Sequence, residues 1–375
     1  MSGFNPERLK EIRIVRKMKL SQLAEELELT KQAVSKYELG KSIPSTEIIN
    51  KMLNILGISR NYLTKNSVNI NGASSSLFFR AASTTTETDR YYANIICKWG
   101  YEIVQGMNTF ENIPDLNFPN FNEELTIPRK ADYLRQFWNL GNMPIDNITS
   151  VLEANGIFVF IVNSSELHTD AYSKIINGIP IIILNEYKGT AVRWRFNLCH
   201  ELGHLVLHKN LSATEFELNA ERIEKEASLF ARCFLMPEES FGNSVVNIRL
   251  EGFFELKREW KVSIAAILYS CKYLGIIDNN KYIALLKQLS KKGWRKQEPF
   301  DDEFEFEKPK YFHNYAEKYL TDKNNFEQFN NLVRLPIKDV ERLCSLPEGY
   351  FIEYINGITR DDGDTIDYKQ LSLFD

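Results

Sequence analysis

The sequence predicts a mainly α-helical protein with a small β-sheet, an α+β fold class. Apolar residues recur at helical spacing through most of the 375 residues, a pattern typical of amphipathic helices. Two runs rich in β-branched residues, 157–162 and 179–185, are predicted strands. Charged residues make up 26% and apolar residues 43% of the chain, as in ordinary globular proteins. We expect no membrane association, because no apolar run is long enough to span a bilayer.

The first 65 residues predict five short helices. Thr30 is a predicted N-cap for the third helix, and Gly40 is expected to end it. Pro44 and Ser45 are expected to open the fourth. Residues 1–66 carry 12 Lys/Arg against 7 Asp/Glu, whereas the rest of the chain has a net charge of −9. A basic module on an acidic body indicates an anionic partner.

The run V-S-K-Y-E-L-G-K from Val34 to Lys41, followed by Pro44, resembles lambda-repressor-like helix-turn-helix domains of the Cro/CI (Xre) type. The resemblance implies that the third helix enters the major groove of double-stranded DNA. The DNA contacts that it implies are Lys31, Gln32, Ser35, Lys36 and Lys41. Gln32 suits adenine, and the lysines suit guanine or phosphate. The alternative is that the lysines form only a solvated helix face.

Small polar residues dominate 67–88 and predict a linker after the first domain, 1–66. An apolar segment within it, 77–80, is expected to dock on the following domain. That domain is predicted to span 89–299 and to begin with an amphipathic helix, and 300–375 form an acidic and aromatic helical region of unassigned role. The five cysteines lack C-x-x-C spacing, which indicates free thiols in a reducing cytoplasm.

The most informative motif is H-E-x-x-H, formed by His200, Glu201 and His204 in a stretch that is apolar on almost all sides. Two histidines one helical turn apart lie on one face and can bind the same metal ion. Glu201 follows the first histidine and can reach a water at that metal. A helix this apolar rarely carries such groups unless something satisfies them.

A catalytic zinc site needs a third protein ligand, and the run 222–232 supplies one. Glu224 shares a helix face with small residues that allow a close approach to the first helix. We therefore predict Glu224 as the third ligand, with Glu226 as the alternative. Ser228 is expected to hydrogen-bond the Glu224 carboxylate or a ligand histidine. His208 lies one turn beyond the motif and is expected to rotate away into a helix-end or surface contact.

Together, Arg195-Phe196, the H-E-x-x-H motif, Glu224-x-x-Ala227 and Leu235-Met236-Pro237 resemble the ImmA/IrrE family of zinc metallo-endopeptidases. Ser228 departs from the asparagine that is frequent in that family. The resemblance implies a zincin-like domain, Zn²⁺ as cofactor and Glu201 as the catalytic base. It also implies that His200, His204 and Glu224 bind the metal.

The expected reaction is hydrolysis of a peptide bond in a specific regulatory protein, such as a repressor or a toxin–antitoxin or stress-response partner. The extended substrate is expected to pair with a strand edge at 181–185, with Asn185 as its predicted contact. His168, Tyr172 and Tyr187 are alternatives for stabilising the oxyanion.

The alternative function is a DNA-binding repressor or antitoxin whose zinc domain is a non-catalytic sensor or a partner-binding scaffold. Glu201 favours the enzyme, because a scaffold does not need this carboxylate. A homodimer is expected under either function, since modules of this kind bind paired half-sites.

Overall fold

The computed structural model describes residues 3–66, 78–79 and 86–352, except 166, 168, 188 and 296. Most of the predicted linker and His168 therefore lie outside the described residues, as does the chain after 352. The described residues form two compact units. Among these residues, none of the helices combines the length and the apolarity that a bilayer crossing requires.

The elements of the described residues follow one another in a mainly helical order. They are α1 (Pro6–Val15), α2 (Leu20–Glu26), α3 (Lys31–Glu38), α4 (Thr46–Leu56), α5 (Arg60–Thr64), β1 (Phe78–Phe79), α6 (Glu87–Met107), α7 (Ile127–Phe137), α8 (Ile148–Ala154), β2 (Phe158–Val162), β3 (Ala171–Ile176), β4 (Ile179–Asn185), α9 (Ala191–Leu207), α10 (Ala213–Leu218), α11 (Ala220–Leu235), α12 (Glu238–Ser244), α13 (Leu250–Trp260), α14 (Ile264–Tyr273), α15 (Asn279–Lys291), α16 (Tyr311–Tyr319), α17 (Lys323–Val333) and α18 (Ile337–Leu343). The predicted fold class, mainly α with a small sheet, is confirmed.

The first unit contains α1 to α6 and α16 to α18. Its first five helices match the prediction, including the local signals that bound them. The Thr30 hydroxyl accepts a hydrogen bond from the backbone N–H of Ala33 and caps α3. Gly40 follows α3 with φ +67°, a conformation that few residues other than glycine adopt at low cost. Ser45 caps α4 in the same way as Thr30 caps α3.

Helix α6 lies in the first unit, although the sequence assigned its residues to the domain that begins at residue 89. It packs against α1 and α17. Its side of the packing includes Trp99, which is fully buried, and two buried charged residues, Lys98 and Glu102. Gly106 lets α17 approach, because a Cβ at that position would lie 2.4 Å from Val333 Cγ2. The division between the units therefore differs from the predicted boundary.

The second unit contains the sheet and α7 to α15. The strand order is β1-β3-β4-β2, with β3 antiparallel and β2 parallel to β4. Strand β3 was not predicted. It forms a hairpin with β4 through Asn177 and Gly178, which have φ values of 48° and 84°. The backbone of 78–79 pairs with β3, in agreement with the docking expected of the segment 77–80. Helix α9 packs against this sheet on one side and against α11 on the other.

Candidate metal centre and nucleic-acid interface

Helices α9 and α11 approach closely where Gly203 faces Ala227. A Cβ at Gly203 would lie 3.0 Å from the Ala227 carbonyl oxygen and 3.1 Å from its Cα. Contacts this short leave no room for a larger residue at the crossing. The small residues on α11 therefore allow the close contact with α9 that the sequence predicts. This contact brings Glu224 of α11 to the histidines of α9.

The side chains of His200, His204 and Glu224 converge on one point. The two histidine Nε2 atoms lie 3.1 Å apart. Glu224 Oε2 lies 3.2 Å from His200 Nε2, and Glu224 Oε1 lies 3.4 Å from His204 Nε2. Tetrahedral zinc with ligands at about 2.0–2.1 Å separates those ligands by roughly 3.3 Å. The spacing of the three groups thus fits a single tetrahedral metal ion.

The protonation states of this cluster also suit a metal. Burial lowers the pKa of His204 to about 4, so its imidazole is neutral at pH 7. Burial alone would raise the pKa of Glu224, but the adjacent histidines, His200 first, outweigh it and lower that pKa to about 2. Neutral imidazoles and a carboxylate are the forms that bind metal. Within the described residues, Glu224 Oε1 is buried without a hydrogen-bond partner, as expected of an atom that faces a cation.

Glu201 is held by a residue that the sequence analysis missed. The Ser173 hydroxyl on β3 donates a hydrogen bond to Glu201 Oε2 at 2.6 Å. Glu201 is 2% exposed and Ser173 is fully buried. Ser173 was missed because β3 was missed, since Ser173 and Lys174 interrupt its apolar pattern. The signal that could have found it is the Asn177-Gly178 pair, which is typical of a two-residue hairpin turn.

The other ring nitrogens of the two histidines have different partners. Ser228 Oγ lies 3.2 Å from His200 Nδ1, in line with one of the two contacts expected of Ser228. His208 Nδ1 lies 3.1 Å from His204 Nδ1, and His208 Nε2 lies 3.0 Å from Glu226 Oε2. His208 does end the helix, but it is buried and directed back toward His204. Glu226 contacts His208 and does not join the metal-ligand cluster.

The structure does not bring Asn185 to a substrate edge. Strand β4 lies between β3 and β2, so both of its edges are paired. The Asn185 side chain is fully buried and exchanges hydrogen bonds with the backbone of Ser164. The expectation that 181–185 form a free edge was wrong because β3 was not foreseen. Of the oxyanion alternatives, Tyr172 is fully buried and Tyr187 is 61% exposed, and His168 lies outside the described residues.

Helix α3 presents a polar face to solvent. Its predicted DNA contacts Lys31, Gln32 and Lys36 are exposed, as is Lys41 beyond its end, and Ser35 is partly buried. The opposite face contributes Val34, fully buried, to the core. Glu38 is engaged by Arg13 of α1 at 2.8 Å, so this carboxylate is neutralised within the domain. The exposed face is therefore basic and able to approach a polyanion.

Comparison with protein families agrees with this division of the molecule. Residues 9–63 match the helix-turn-helix family, and residues 152–272 match the IrrE N-terminal-like domain, a peptidase family. The chain joins a helix-turn-helix domain to an IrrE-like domain. Both predicted resemblances are thereby confirmed, and the IrrE-like domain contains the metal-ligand cluster and Glu201.

The SPbeta prophage-derived uncharacterized HTH-type transcriptional regulator YonR of Bacillus subtilis (strain 168) is 39% identical over 59 residues. The match covers 16% of this chain and 55% of that protein. The chain thus spans about half the length of the curated relative that it matches. This similarity extends to no more than a small part of the chain.

Proposed function

We propose that this protein is a DNA-binding transcriptional regulator with zinc-dependent endopeptidase activity toward a specific regulatory protein. The observation that carries the proposal is the convergence of His200, His204 and Glu224, with Glu201 as the residue after His200 on α9. A buried cluster of Lewis bases has little structural use without a cation. A carboxylate next to it that is held by a serine hydroxyl matches the needs of hydrolysis.

The residues of the site have distinct roles in this proposal. His200, His204 and Glu224 would hold zinc, which would supply Lewis acidity and lower the pKa of a water toward 7. Glu201 would accept a proton from the attacking water and return it to the leaving amine. Ser173 orients Glu201 by donating a hydrogen bond to its Oε2.

We further propose that the substrate binds as an extended strand along β3. This strand carries Ser173 and is the one that contacts Glu201. Its side away from β4 pairs antiparallel with the backbone of Phe78 and Phe79, opposite Ser173 and Tyr172. That pairing shows that this side of β3 can hold an extended backbone, so a substrate would pair beyond Phe78–Phe79 or displace them.

The DNA-binding part of the proposal rests on the exposed face of α3. Gln32 is proposed to contact base edges, Lys31, Ser35 and Lys36 to contact bases or phosphates, and Lys41 to contact the backbone. A homodimer on paired half-sites is proposed, as for other modules of this type. Gln32→Ala should alter the preferred sequence, whereas Lys41→Ala should weaken binding to all sequences and reduce its salt dependence.

The decisive test has a metal step and a cleavage step. The metal content of protein purified without chelator is measured for the parent, His200→Ala and Glu224→Ala. We expect about one zinc per parent chain and none in the variants. New protein N-termini are then compared in cells that express the parent or Glu201→Gln. Cleavage that requires Glu201 supports the enzyme, since loss of a general base costs roughly 10²–10⁴-fold in rate.

The alternative outcome is equally clear. If the parent binds zinc but produces no Glu201-dependent N-termini, the zinc domain acts as a sensor or a partner-binding scaffold. If the folded parent binds no zinc, the protein is a DNA-binding repressor or antitoxin without the proposed metal centre.

A further inference from the structure

His204 is connected to a second histidine and then to a carboxylate. His204 Nδ1 lies 3.1 Å from His208 Nδ1, and His208 Nε2 lies 3.0 Å from Glu226 Oε2. Both histidines are buried, at 0% and 2% exposure. Arg222, one turn before Glu226, donates a hydrogen bond to Glu226 Oε1 at 2.7 Å and keeps this carboxylate oriented.

Only one arrangement of protons satisfies this chain when both imidazoles are neutral. A carboxylate accepts hydrogen bonds and cannot donate them, so His208 must carry its proton on Nε2. His208 Nδ1 is then an acceptor, and His204 must carry its proton on Nδ1. This leaves the lone pair of His204 on Nε2, the atom that faces His200 and Glu224.

We propose that His208 and Glu226 are a positioning pair that fixes the tautomer and orientation of His204 for metal binding. The inference rests on the proposed metal centre and adds to it two residues that touch neither the metal nor the substrate. Partners of this kind commonly make a histidine a better ligand by holding its ring and raising its basicity.

The geometry at the end of α9 makes this pair feasible. His208 is the C-cap residue, with φ −123° and ψ 3°, so its backbone has left the helical conformation. His208 lies four residues after His204, so the two rings share one face of the helix. The His208 ring lies between His204 and Glu226 of α11, within hydrogen-bonding distance of both.

The two ligand histidines are supported differently, which provides an internal comparison. His200 Nδ1 lies 3.2 Å from Ser228 Oγ, a neutral group that can donate or accept. The serine hydroxyl therefore does not select one tautomer of His200, whereas the Glu226 carboxylate, acting through His208, selects one tautomer of His204. Loss of Ser228 should therefore weaken zinc binding less than loss of Glu226.

The first test measures zinc affinity by competition with a chelating dye, using the full chain. Glu226→Gln and His208→Phe should each weaken zinc binding by about 10–100-fold. Glu221→Gln is the matched control, because Glu221 lies on the same helix and pairs with the exposed Lys225. It should bind zinc as the parent does. Melting of the metal-free variants establishes that each one folds, and Glu226→Gln preserves shape if His208→Phe does not fold.

The second test reads the tautomers directly in zinc-loaded protein labelled with ¹⁵N-histidine. The chain has five histidines, so individual assignment by substitution is practical. His204 should carry its proton on Nδ1 and His208 on Nε2. Glu226→Gln should remove this preference at His208.

The outcomes separate the two proposals. If the parent binds zinc and Glu226→Gln and His208→Phe bind it equally tightly, the positioning pair is overturned and the metal centre stands. The same holds if His208 of the zinc-loaded parent carries its proton on Nδ1. A parent that binds no zinc overturns the metal centre and the pair together.

Discussion

Each unit of this protein contains a group of ionisable side chains buried between packed helices, and the two groups differ in composition. In the first unit, Arg8 and Glu11 of α1 meet Lys98 and Glu102 of α6, and Lys65 completes the group. Each carboxylate contacts two cations. Each cation of this network contacts a carboxylate of the same network, and the contacts between Arg8, Glu11, Lys98 and Glu102 tie α6 to α1.

The group in the second unit contains ligands but no cation of its own. Two imidazoles and the Glu224 carboxylate face one another within 4.8 Å. Buried charges and polar groups are stable only when they are paired or bind a metal. The comparison teaches that burial of polar residues does not by itself indicate function. A buried set that lacks a cation among its members indicates a site for one.

The largest effect expected from this comparison is in the first unit. Glu102→Gln should destabilise it by about 3–5 kcal/mol, because Arg8 and Lys65 lose their shared carboxylate inside the protein. Amide exchange in α1 and α6 measures this loss locally. Glu28→Gln is the control, since it disrupts the exposed pair with Lys51 and should change little. Equal exchange in the parent and Glu102→Gln would show that the network contributes no stability.

A smaller effect is expected when zinc is removed from the second unit. Zinc at 100 times its dissociation constant should stabilise that unit by about 2.7 kcal/mol. Amide exchange in α9 and α11 should accelerate on chelation, while exchange in α1 and α6 should stay constant. Glu224→Gln should abolish the zinc effect. Zinc-dependent protection in both units, or in neither, would contradict the assignment of the cation site to the second group.

The smallest effect tests the close approach that assembles the site. Gly203→Ala should cost about 1 kcal/mol net and weaken zinc binding, because the added Cβ presses on the Ala227 backbone. Gly242→Ala is the matched control. Its Cβ would meet only Leu274 Cδ1 at 3.8 Å, so the gain in helix propensity should stabilise it slightly. Urea unfolding measures the stability, and competition with a chelating dye measures the zinc affinity. If Gly203→Ala is as stable as Gly242→Ala and binds zinc as tightly, the argument is contradicted.

Local signals explain which predictions succeeded. The helices around Thr30, Gly40 and Ser45 were predicted because caps and glycine stops act within a few residues of the chain. The convergence of His200 and His204 followed from helical spacing, and that of Glu224 from the small residues that share its helix face. That these three residues bind a metal stays a prediction. These features depend on dihedral preferences and periodicity, which sequence expresses directly.

The predictions that failed concern features that depend on contacts between segments far apart in the chain. Strand β3 has a mixed pattern, so Ser173 was missed and β4 was mistaken for a free edge. The position of α6 depends on Lys98 and Glu102 meeting α1, more than 80 residues earlier in the chain. Neither the pairing of β3 in the sheet nor the packing of α6 against α1 produces a periodic pattern in the sequence of its own segment.

The sequence by itself determined the two kinds of domain, the bounds of α3 and the residues that converge in the second unit, because these depend on residue type and local spacing. Only the tertiary structure decided which strand supports Glu201, which unit contains α6, and that Glu226 of α11 contacts His208. Strand order, helix docking and the end of a helix against a neighbour are settled by packing between segments far apart in sequence.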